Sequence, residues 1–439
     1  MGIMRPSIVI SALTAVWLGG AALVSAQDAQ AGSVADQADP LSSDPNDPGN
    51  LLREIQRQDA NREALFQVSP LGRLRNHTTR AKRVFYDATG IKLGTAFNSA
   101  GQTLSNALPG TDRSGVATDN DFIAKWELLN KGKPTHGGVY FQLQGRWEYD
   151  TTGPQTLGFE SLASAIGTAN TYSAYNPTYL VRNLYWQQGS EKAGWAYRVG
   201  KITPDATLDS SPNLAPTTTF LSTGSTGPFA NALPDSGLGL LAVAFLTDRI
   251  ALGGLVSDAN ADRFNWGNID AGDFYTAGEL RIKFFPNDPK VGGTKVTLWH
   301  NDGTKGGIPL NGSTGREGWG IFAKHEHPLS RDGKTVGIVK GGYGFNKSSF
   351  YEKQVGAYLL RYDPPAPIAV QNDLFGVGFN WAKPPQVGTR DEYSVEVFYR
   401  FPVFPVVDAT FAYQAVINPA RTTEIDNASA FSLRLRTTF

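Results

Sequence analysis

Strict alternation of apolar and polar residues is the feature that most limits how this chain folds. Residues 139–150, VYFQLQGRWEYD, place apolar side chains and one glycine at odd positions and mostly polar side chains at even positions. Residues 274–285 and 392–401 repeat the pattern. Successive side chains of a β-strand point to opposite sides, so a period of two indicates strands whose two faces meet different surroundings.

Sixteen such strands are predicted between residue 90 and the end of the sequence. Their ranges are 90–103, 120–130, 137–149, 179–188, 194–202, 237–246, 250–256, 273–285, 293–301, 317–326, 335–345, 352–362, 373–382, 392–401, 406–417 and 428–439. Several connections after even-numbered strands are short, whereas several after odd-numbered strands are long. Barrels that cross a bacterial outer membrane have this form, with short periplasmic turns and long extracellular loops. The connection 363–372 is longer than this rule predicts for a turn.

Alternation alone also fits a soluble sandwich, in which the apolar faces of two sheets are buried against each other. The even strand count favours a membrane barrel, and about 350 residues is long for one sandwich. Aromatic residues near strand ends on the apolar side also suit the two membrane interfaces. They are Trp126, Trp147, Tyr149, Trp319, Trp381, Tyr399, Phe401 and Phe439. The predicted fold class is all-β, a transmembrane antiparallel β-barrel of about 16 strands.

Composition excludes several other classes of protein. The formal net charge is +0 without a long block of one sign, which argues against a nucleic-acid surface. After the first 26 residues no apolar run reaches the length of about 18 residues that a membrane helix requires. The sequence contains no cysteine, so disulfides contribute nothing to its stability.

The charged residues decide which face of each strand meets lipid. An Arg or Lys on the lipid face near the middle of the bilayer costs about 2–4 kcal/mol, so the polar face must point inward. A barrel of about sixteen strands is too wide for its own side chains to fill, so the inward face lines a water-filled pore. The predicted pore-lining residues are Tyr140, Gln142, Gln144, Arg146, Glu148, Tyr275, Glu279, Arg281, Lys283, Glu396, Arg400, Arg434 and Arg436.

Three segments precede the barrel, which is expected to occupy residues 90–439. Residues 1–26 resemble a signal peptide, with Arg5, an apolar stretch and a small-residue cleavage site at Ala26; a membrane helix is the alternative. Residues 27–50 are rich in Asp, Pro, Ser and Gly and predict a flexible tether. Residues 51–89 predict a partly helical periplasmic segment. Its basic part, 71–86, is either a solvated lead-in to the first strand or a periplasmic plug or cell-wall contact.

The later strands resemble the carbohydrate-selective porins of Gram-negative outer membranes. The resemblance rests on EYSVEVFYRFPVFPVVDATFAYQAVINPA (392–420), on YRVGKITPDATL (197–208) and on NDLFGVGFNWAKP (372–384). It implies an outer-membrane channel through which glucose and related sugars diffuse passively. The family's tryptophan-rich N-terminal segment is replaced here by residues 51–86, so no family role carries over to that part.

Residues 203–236 form the third long loop, and the resemblance implies that a loop at this position folds into the pore. A loop of this length without secondary structure usually has a function or is disordered. Its composition predicts an inward-packed constriction. The candidate constriction residues are Asp205, Asp209, Asn213, Phe220 and Phe229.

Other site types are weaker in this sequence. His325, Glu326 and His327 have no third ligand at a defined spacing and predict a periplasmic turn, so no metal and no cofactor are expected. His300 lacks an obvious Ser partner, which argues against an outer-membrane hydrolase, and no enzyme activity is expected. A general porin, or one for anionic or aromatic solutes, stays an alternative.

The expected partners are glucose-like sugars and outer-membrane lipid, but not nucleic acid. The resemblance gives Phe439 the role of the C-terminal signal read by the barrel insertion machinery. The sequence does not distinguish a monomer from a homotrimer.

Overall fold

The computed structural model describes residues 39–60, 63–149, 152–173, 178–285, 292–309, 312–365, 367–368 and 370–439. The predicted signal peptide and the first half of the predicted tether, residues 27–38, lie outside these residues. The helices of the described part are α1 (Pro48–Ala60), α2 (Ser69–Thr89), α3 (Pro154–Thr156) and α4 (Thr223–Thr226). None of the helices among the described residues is both long and apolar enough to cross a membrane.

Sixteen antiparallel strands form one closed barrel, in which each strand pairs with its sequence neighbours and β1 pairs with β16. The strands are β1 Ile91–Leu104, β2 Ser114–Leu129, β3 Gly137–Glu148, β4 Thr178–Ser190, β5 Trp195–Ile202, β6 Gly237–Phe245, β7 Ile250–Asp258, β8 Phe274–Ile282, β9 Thr294–Asn301, β10 Gly318–Pro328, β11 Thr335–Gly344, β12 Lys353–Tyr362, β13 Leu374–Lys383, β14 Glu392–Phe404, β15 Val407–Ile417 and β16 Asn427–Thr438. The predicted barrel and its strand count are confirmed.

The pairing of β1 with β16 shows that alternate residues form the outer and the inner face of the barrel. Asn98 pairs with Arg436, and Ser99 pairs with Leu435. Leu435 is 43% exposed on the outer face, whereas Arg436 is 2% exposed on the inner face. The two neighbours therefore lie on opposite sides of one wall, as the cost of a cation in lipid requires.

Two local predictions were wrong. His325 and His327 lie within β10 rather than in a turn, and between them Glu326 points inward with its side chain fully buried. Strand β2 begins at Ser114 rather than at 120, because residues 114–119 continue the pairing with β1. The polar run at 118–121 hid this extension, since Asp119 and Asp121 face the interior.

The inside of the barrel is occupied by three segments that are not strands: residues 39–60, 152–173 and 203–236. Each contributes apolar side chains to clusters with the inner wall. Leu157 and Leu162 pack with Leu104 of β1, and Phe220 packs with Phe398 of β14. The wide interior that the strand count predicts is thus filled mainly by chain segments rather than by wall side chains.

Residues 39–50 differ from the predicted flexible tether, because the wall binds them. Leu41 and Asp47 are buried, and Asp47 forms an ion pair with Arg198 of β5. The polar groups of this stretch are satisfied by contacts with the wall rather than by water. Helix α2, in contrast, buries none of its side chains and ends at Gly90, whose φ of 73° closes the helix in the left-handed conformation.

Candidate solute pathway

The third long loop, 203–236, folds into the barrel and is held there through its backbone. Lys340 of β11 donates to the carbonyl oxygens of Ser225 (2.7 Å) and Gly227 (3.0 Å). Arg434 of β16 donates to the carbonyl oxygens of Pro216 (2.5 Å) and Thr219 (3.0 Å). A loop has few backbone partners of its own, so buried charged side chains of the wall satisfy its peptide groups.

Residues 152–173 of the second long loop are held in a similar way by Glu392 of β14. Its carboxylate accepts from the backbone N–H of Ala165 (2.6 Å) and Ile166 (3.2 Å), and also from the hydroxyl of Ser164. Both inserted loops are therefore bound by buried polar side chains of the inner wall.

A cavity of about 480 Å³ remains between the inserted segments, on the side of the barrel where the long loops meet. It is lined from several links that follow odd-numbered strands, and also by Asp44 and Asn46 of the N-terminal segment. Within the described residues its charged lining consists of Arg146, Arg182, Arg263 and Arg421 together with Asp44, Glu160, Asp205, Asp209 and Asp235. The near balance of signs suits an uncharged polar solute better than an ion.

Arg182 reaches this cavity because of an irregularity in the barrel. Gln142 of β3 pairs with Asn183 and Leu143 pairs with Val181, so Arg182 between them has no partner in the ladder. An extra residue of this kind redirects a side chain, and such bulges are common next to functional sites. The guanidinium lies 3.8 Å from the Asp205 carboxylate and donates to Gln144 at 3.2 Å.

Arg263 forms the closest ion pair of the cavity, 2.8 Å from Asp235. Burial raises the pKa of Asp235, but the facing Arg263 and Arg182 outweigh that effect and bring its pKa below the ordinary value. Burial raises the pKa of Asp205, and the neighbouring Arg182 opposes it only in part. The cavity lining thus contains the Asp235 carboxylate, which stays ionised, and the Asp205 carboxylate, which protonates more readily.

Aromatic rings also line the cavity. The ring of Phe350 lies 5.9 Å from that of Phe159 and 6.0 Å from that of Phe229, measured between centroids. The guanidinium of Arg421 lies 5.0 Å from the Phe350 ring centroid. The cavity therefore offers both ring surfaces and charged hydrogen-bonding groups.

Several polar atoms of the cavity have no hydrogen-bond partner among the described residues. They include Nε of Arg146, Oδ1 of Asp205 and Oδ2 of Asp209. Two of the three keep an ion-pair neighbour, since Nε of Arg146 lies 3.6 Å from Asp119 and Oδ1 of Asp205 lies 3.8 Å from Arg182.

The predicted pore-lining residues mostly lie on the inner wall, but only one of them lines the cavity. That residue is Arg146. Residues covered by the inserted segments or packed on the wall are Tyr140, Gln142, Gln144, Tyr275, Glu279, Arg281, Glu396, Arg434 and Arg436. Arg400 is partly exposed and donates to the carbonyl oxygen of Thr218 (2.7 Å), and Glu148 is also partly exposed. Most of these side chains therefore hold the segments that shape the pathway.

Lys283 lies elsewhere than predicted. It follows the last residue of β8 and pairs with Glu191 of the β4–β5 turn at 2.7 Å, and both side chains are partly exposed to solvent. The alternation of apolar and polar residues continues past Ile282 in the sequence, but the strand pairing of β8 ends at that residue. Lys283 therefore lies at the rim of the barrel.

The predicted constriction residues divide into two groups. Asp205, Asp209 and Phe229 line the cavity. Asn213 instead donates to Glu326 at 2.8 Å, and Phe220 packs edge-on against Phe398 at 4.9 Å between centroids. These two residues hold the loop against the wall, and a constriction role for all five stays a prediction.

Sequence reasoning missed Arg182, Arg263, Arg421, Phe350 and the N-terminal residues of the cavity. The weak alternation of β4 was the signal for Arg182, since a bulge breaks the period of two. The others lie in irregular links, where no periodicity assigns a direction to a side chain.

Two further expectations concern the chain end and metals. Phe439 exchanges backbone hydrogen bonds with Thr95 of β1, at 3.0 and 2.8 Å, so the last residue continues the barrel closure. Its role as an insertion signal stays a prediction. The part of the chain that the structure describes contains no group of three or more His, Cys, Asp or Glu side chains arranged to hold a metal ion.

Comparison with known proteins agrees with this architecture. Residues 368–439 match the family model described as carbohydrate-selective porin, OprB family. A comparison with curated proteins gave no match.

One solved structure shows the same fold, and two others are more distantly similar. The high-pH structure of Pseudomonas putida OprB is 12% identical, covers 81% of this chain and 96% of its own, and has a TM-score of 0.62. The low-pH structure of that protein is 11% identical, with 82% and 96% covered and a TM-score of 0.48. A triple mutant of Rhodopseudomonas blastica porin is 9% identical, with 80% and 100% covered and a TM-score of 0.43.

The matched family model describes carbohydrate-selective porins, and the high-pH structure of Pseudomonas putida OprB has the same barrel fold. The matched residues contain β13 to β16, where the sequence resemblance was strongest. The last four strands therefore match the carbohydrate-selective porin family in sequence, and the barrel has the fold of the Pseudomonas putida OprB structure.

Proposed function

We propose that the cavity selects monosaccharides of the glucose type as they diffuse through this sugar porin. The observation that carries the proposal is a cavity lining that combines carboxylates and guanidinium groups with aromatic rings. Hydroxyl groups both donate and accept hydrogen bonds, so carboxylates such as Asp205 and guanidinium groups such as Arg146 suit them. The apolar CH face of a sugar ring would lie against Phe350.

The size and charge of the cavity support the same class of solute. Its volume of about 480 Å³ lies within the range of about 300–1,000 Å³ that is typical of small-molecule sites. A strongly anionic solute would require an excess of cationic groups, but this cavity is lined by both acidic and basic side chains without such an excess. A neutral, hydroxyl-rich molecule needs no such excess.

The location of the protein and its processing form a second part of the proposal. The chain is exported by a signal peptide over residues 1–26, is cleaved near Ala26 and is inserted through the signal of Phe439. Mass spectrometry of the mature N-terminus would test the cleavage. A retained N-terminus would contradict it.

Liposome swelling with purified protein tests the proposed selectivity. Glucose should enter faster than a zwitterion of the same size and faster than a disaccharide. Equal rates for all small solutes would leave only a general pore, and faster entry of anionic or aromatic solutes would assign the cavity to that class. Protein-free liposomes in the same solutes are the control. Any swelling that they show is a leak through the lipid.

A further inference from the structure

Residues 39–60, which we call the lumenal N-terminal segment, lie inside the barrel between the cavity and the short-turn end. Asp44 and Asn46 form part of the cavity lining. Helix α1 continues from there to Ala96 of β1 and Ile123 of β2, near the end at which β1 begins. A solute that leaves the cavity toward the short turns must pass this segment.

Ion pairs of Asp47 and Glu54 tie the segment to two parts of the inner wall. Asp47 lies 2.8 Å from Arg198 of β5, and both side chains have 0% exposure. Glu54 of α1 lies 3.0 Å from Arg436 of β16. Arg198 also lies 3.3 Å from Asp39. Because β4, β3, β2 and β1 lie between β5 and β16, the segment spans this part of the inner wall.

Further hydrogen bonds join the segment to the wall and to the third loop. Arg281 of β8 donates to the carbonyl oxygens of Pro40 (3.2 Å) and Leu41 (3.3 Å). The backbone N–H of Ser43 donates to the hydroxyl of Ser210 at 2.9 Å. The segment and the inserted loop thus form one continuous obstruction.

An apolar contact anchors helix α1. Leu51, Leu52 and Ile55 are buried against the wall. The wall at this point carries Gly94, where an added Cβ would lie 2.7 Å from Cδ1 of Ile55 and 2.9 Å from Cδ2 of Leu52. The absence of a side chain at residue 94 lets the helix lie directly on the strand.

The segment and the wall are complementary in charge. Residues 39–50 contain Asp39, Asp44 and Asp47 and no basic residue. Arg198, Arg281 and Lys295 of the wall are basic, although Arg281 also pairs with Glu279 of its own strand. Without the segment, Arg198 would lose both of its carboxylate partners, Asp39 and Asp47.

We propose that the lumenal N-terminal segment is a second constriction of this channel, which sets its size limit and offsets the positive charge of its wall. The inference rests on the proposed function only in that the barrel is an open channel. It assigns a specificity-determining role to Asp44, Asp47 and Glu54, which lie in the part of the chain where the sequence resemblance to the family is lost.

Two variants of the full chain test this role in planar bilayers. The first deletes residues 39–60, and the second, Asp47→Asn with Glu54→Gln, removes both ion pairs but keeps the length. Glu191→Gln with Asp332→Asn is the matched control, because it removes the same number of acids from partly exposed pairs at two short turns. Heat-modifiable migration on gels confirms that each barrel is folded.

The deletion should raise single-channel conductance about twofold or more, admit a disaccharide in swelling assays, and shift ion preference toward anions. The double substitution should change all three in the same direction by a smaller amount, and the control should match the unaltered protein. Unchanged conductance and ion preference in the double variant would overturn the proposal, even if the deletion failed to assemble. A protein that conducts but does not prefer sugars would contradict the proposed selectivity and leave this role intact.

Discussion

Glu396 of β14 accepts a hydrogen bond from the backbone N–H of Leu221 at 2.6 Å, across the interior of the barrel. It also accepts from the N–H of Ser222 at 3.1 Å. The side chain is fully buried and binds the third long loop next to the short helix α4. A residue predicted to face the solute thus holds the loop that narrows the pore.

Replacing Glu396 with Gln should loosen this loop. A hydrogen bond to a charged group contributes about 1.5–3 kcal/mol, and the amide keeps one acceptor oxygen but loses the charge at both bonds. We expect higher single-channel conductance with more current noise, and a smaller preference for glucose over a disaccharide in liposome swelling. Glu424→Gln, on an exposed part of the β15–β16 loop, is the control. Identical conductance for both variants would mean that Glu396 does not hold the loop.

Arg182 should contribute directly to sugar selection because the bulge in β4 directs it into the cavity. Arg182→Lys keeps the charge but loses the planar fork that bonds to Gln144 and faces Asp205. Loss of one charged hydrogen bond of about 1.5 kcal/mol corresponds to roughly tenfold weaker glucose binding. Block of the ion current by added glucose measures this affinity. The exposed Arg331→Lys is the control, and equal block in both variants would remove Arg182 from the pathway.

Phe350 should provide the surface on which a sugar ring lies. Phe350→Leu preserves an apolar side chain but removes the ring contacts with Phe159 and Arg421, which are each worth about 0.5–1.5 kcal/mol. We expect weaker current block by glucose and little change in conductance to KCl. Phe264→Leu, at an exposed position of the β7–β8 loop, should leave glucose block unaltered. A conductance change in Phe350→Leu without a change in block would indicate a packing role instead.

The barrel could be predicted from the sequence because lipid imposes a rule on every second residue. Leu433 and Leu435 face lipid, whereas Arg434 and Arg436 cannot. The cost of placing a cation in lipid therefore decides which face of the alternating strand points inward. This rule also located most strand boundaries to within a few residues. It failed where the ladder ends, as at Lys283, and where it is interrupted, as at Arg182.

The filling of the barrel could not be predicted in the same way. Residues 39–47 are polar and contain proline, as a linker does. Nothing in the local sequence shows that Asp47 forms an ion pair with Arg198, which is distant in the sequence. The inward direction of Arg434 and Arg436 predicts that both face the solute. Arg434 instead binds the third loop, and Arg436 binds Glu54, so inward direction and contact with the solute are separate properties.

The charge of the cavity should depend on pH near neutrality because of Asp44. Burial raises the pKa of this carboxyl to about 7, and the nearby carboxylates of Asp205 and Asp47 add to the shift. A carboxyl is neutral below its pKa, so lowering the pH from about 8 to about 6 removes negative charge from the cavity. The ratio of anion to cation permeability should therefore rise over this range, as reversal potentials in a KCl gradient would show.

Asp44→Asn should give the higher anion preference already at about pH 8 and should reduce the pH response. The response should not vanish, because burial and Glu279 also raise the pKa of Asp209 to about 7. Asp332→Asn is the control, since hydrogen bonds from Arg361 hold the pKa of Asp332 below its ordinary value, far from this range. A pH response of full size in Asp44→Asn would show that other groups titrate in the pathway and that Asp44 does not contribute to its field.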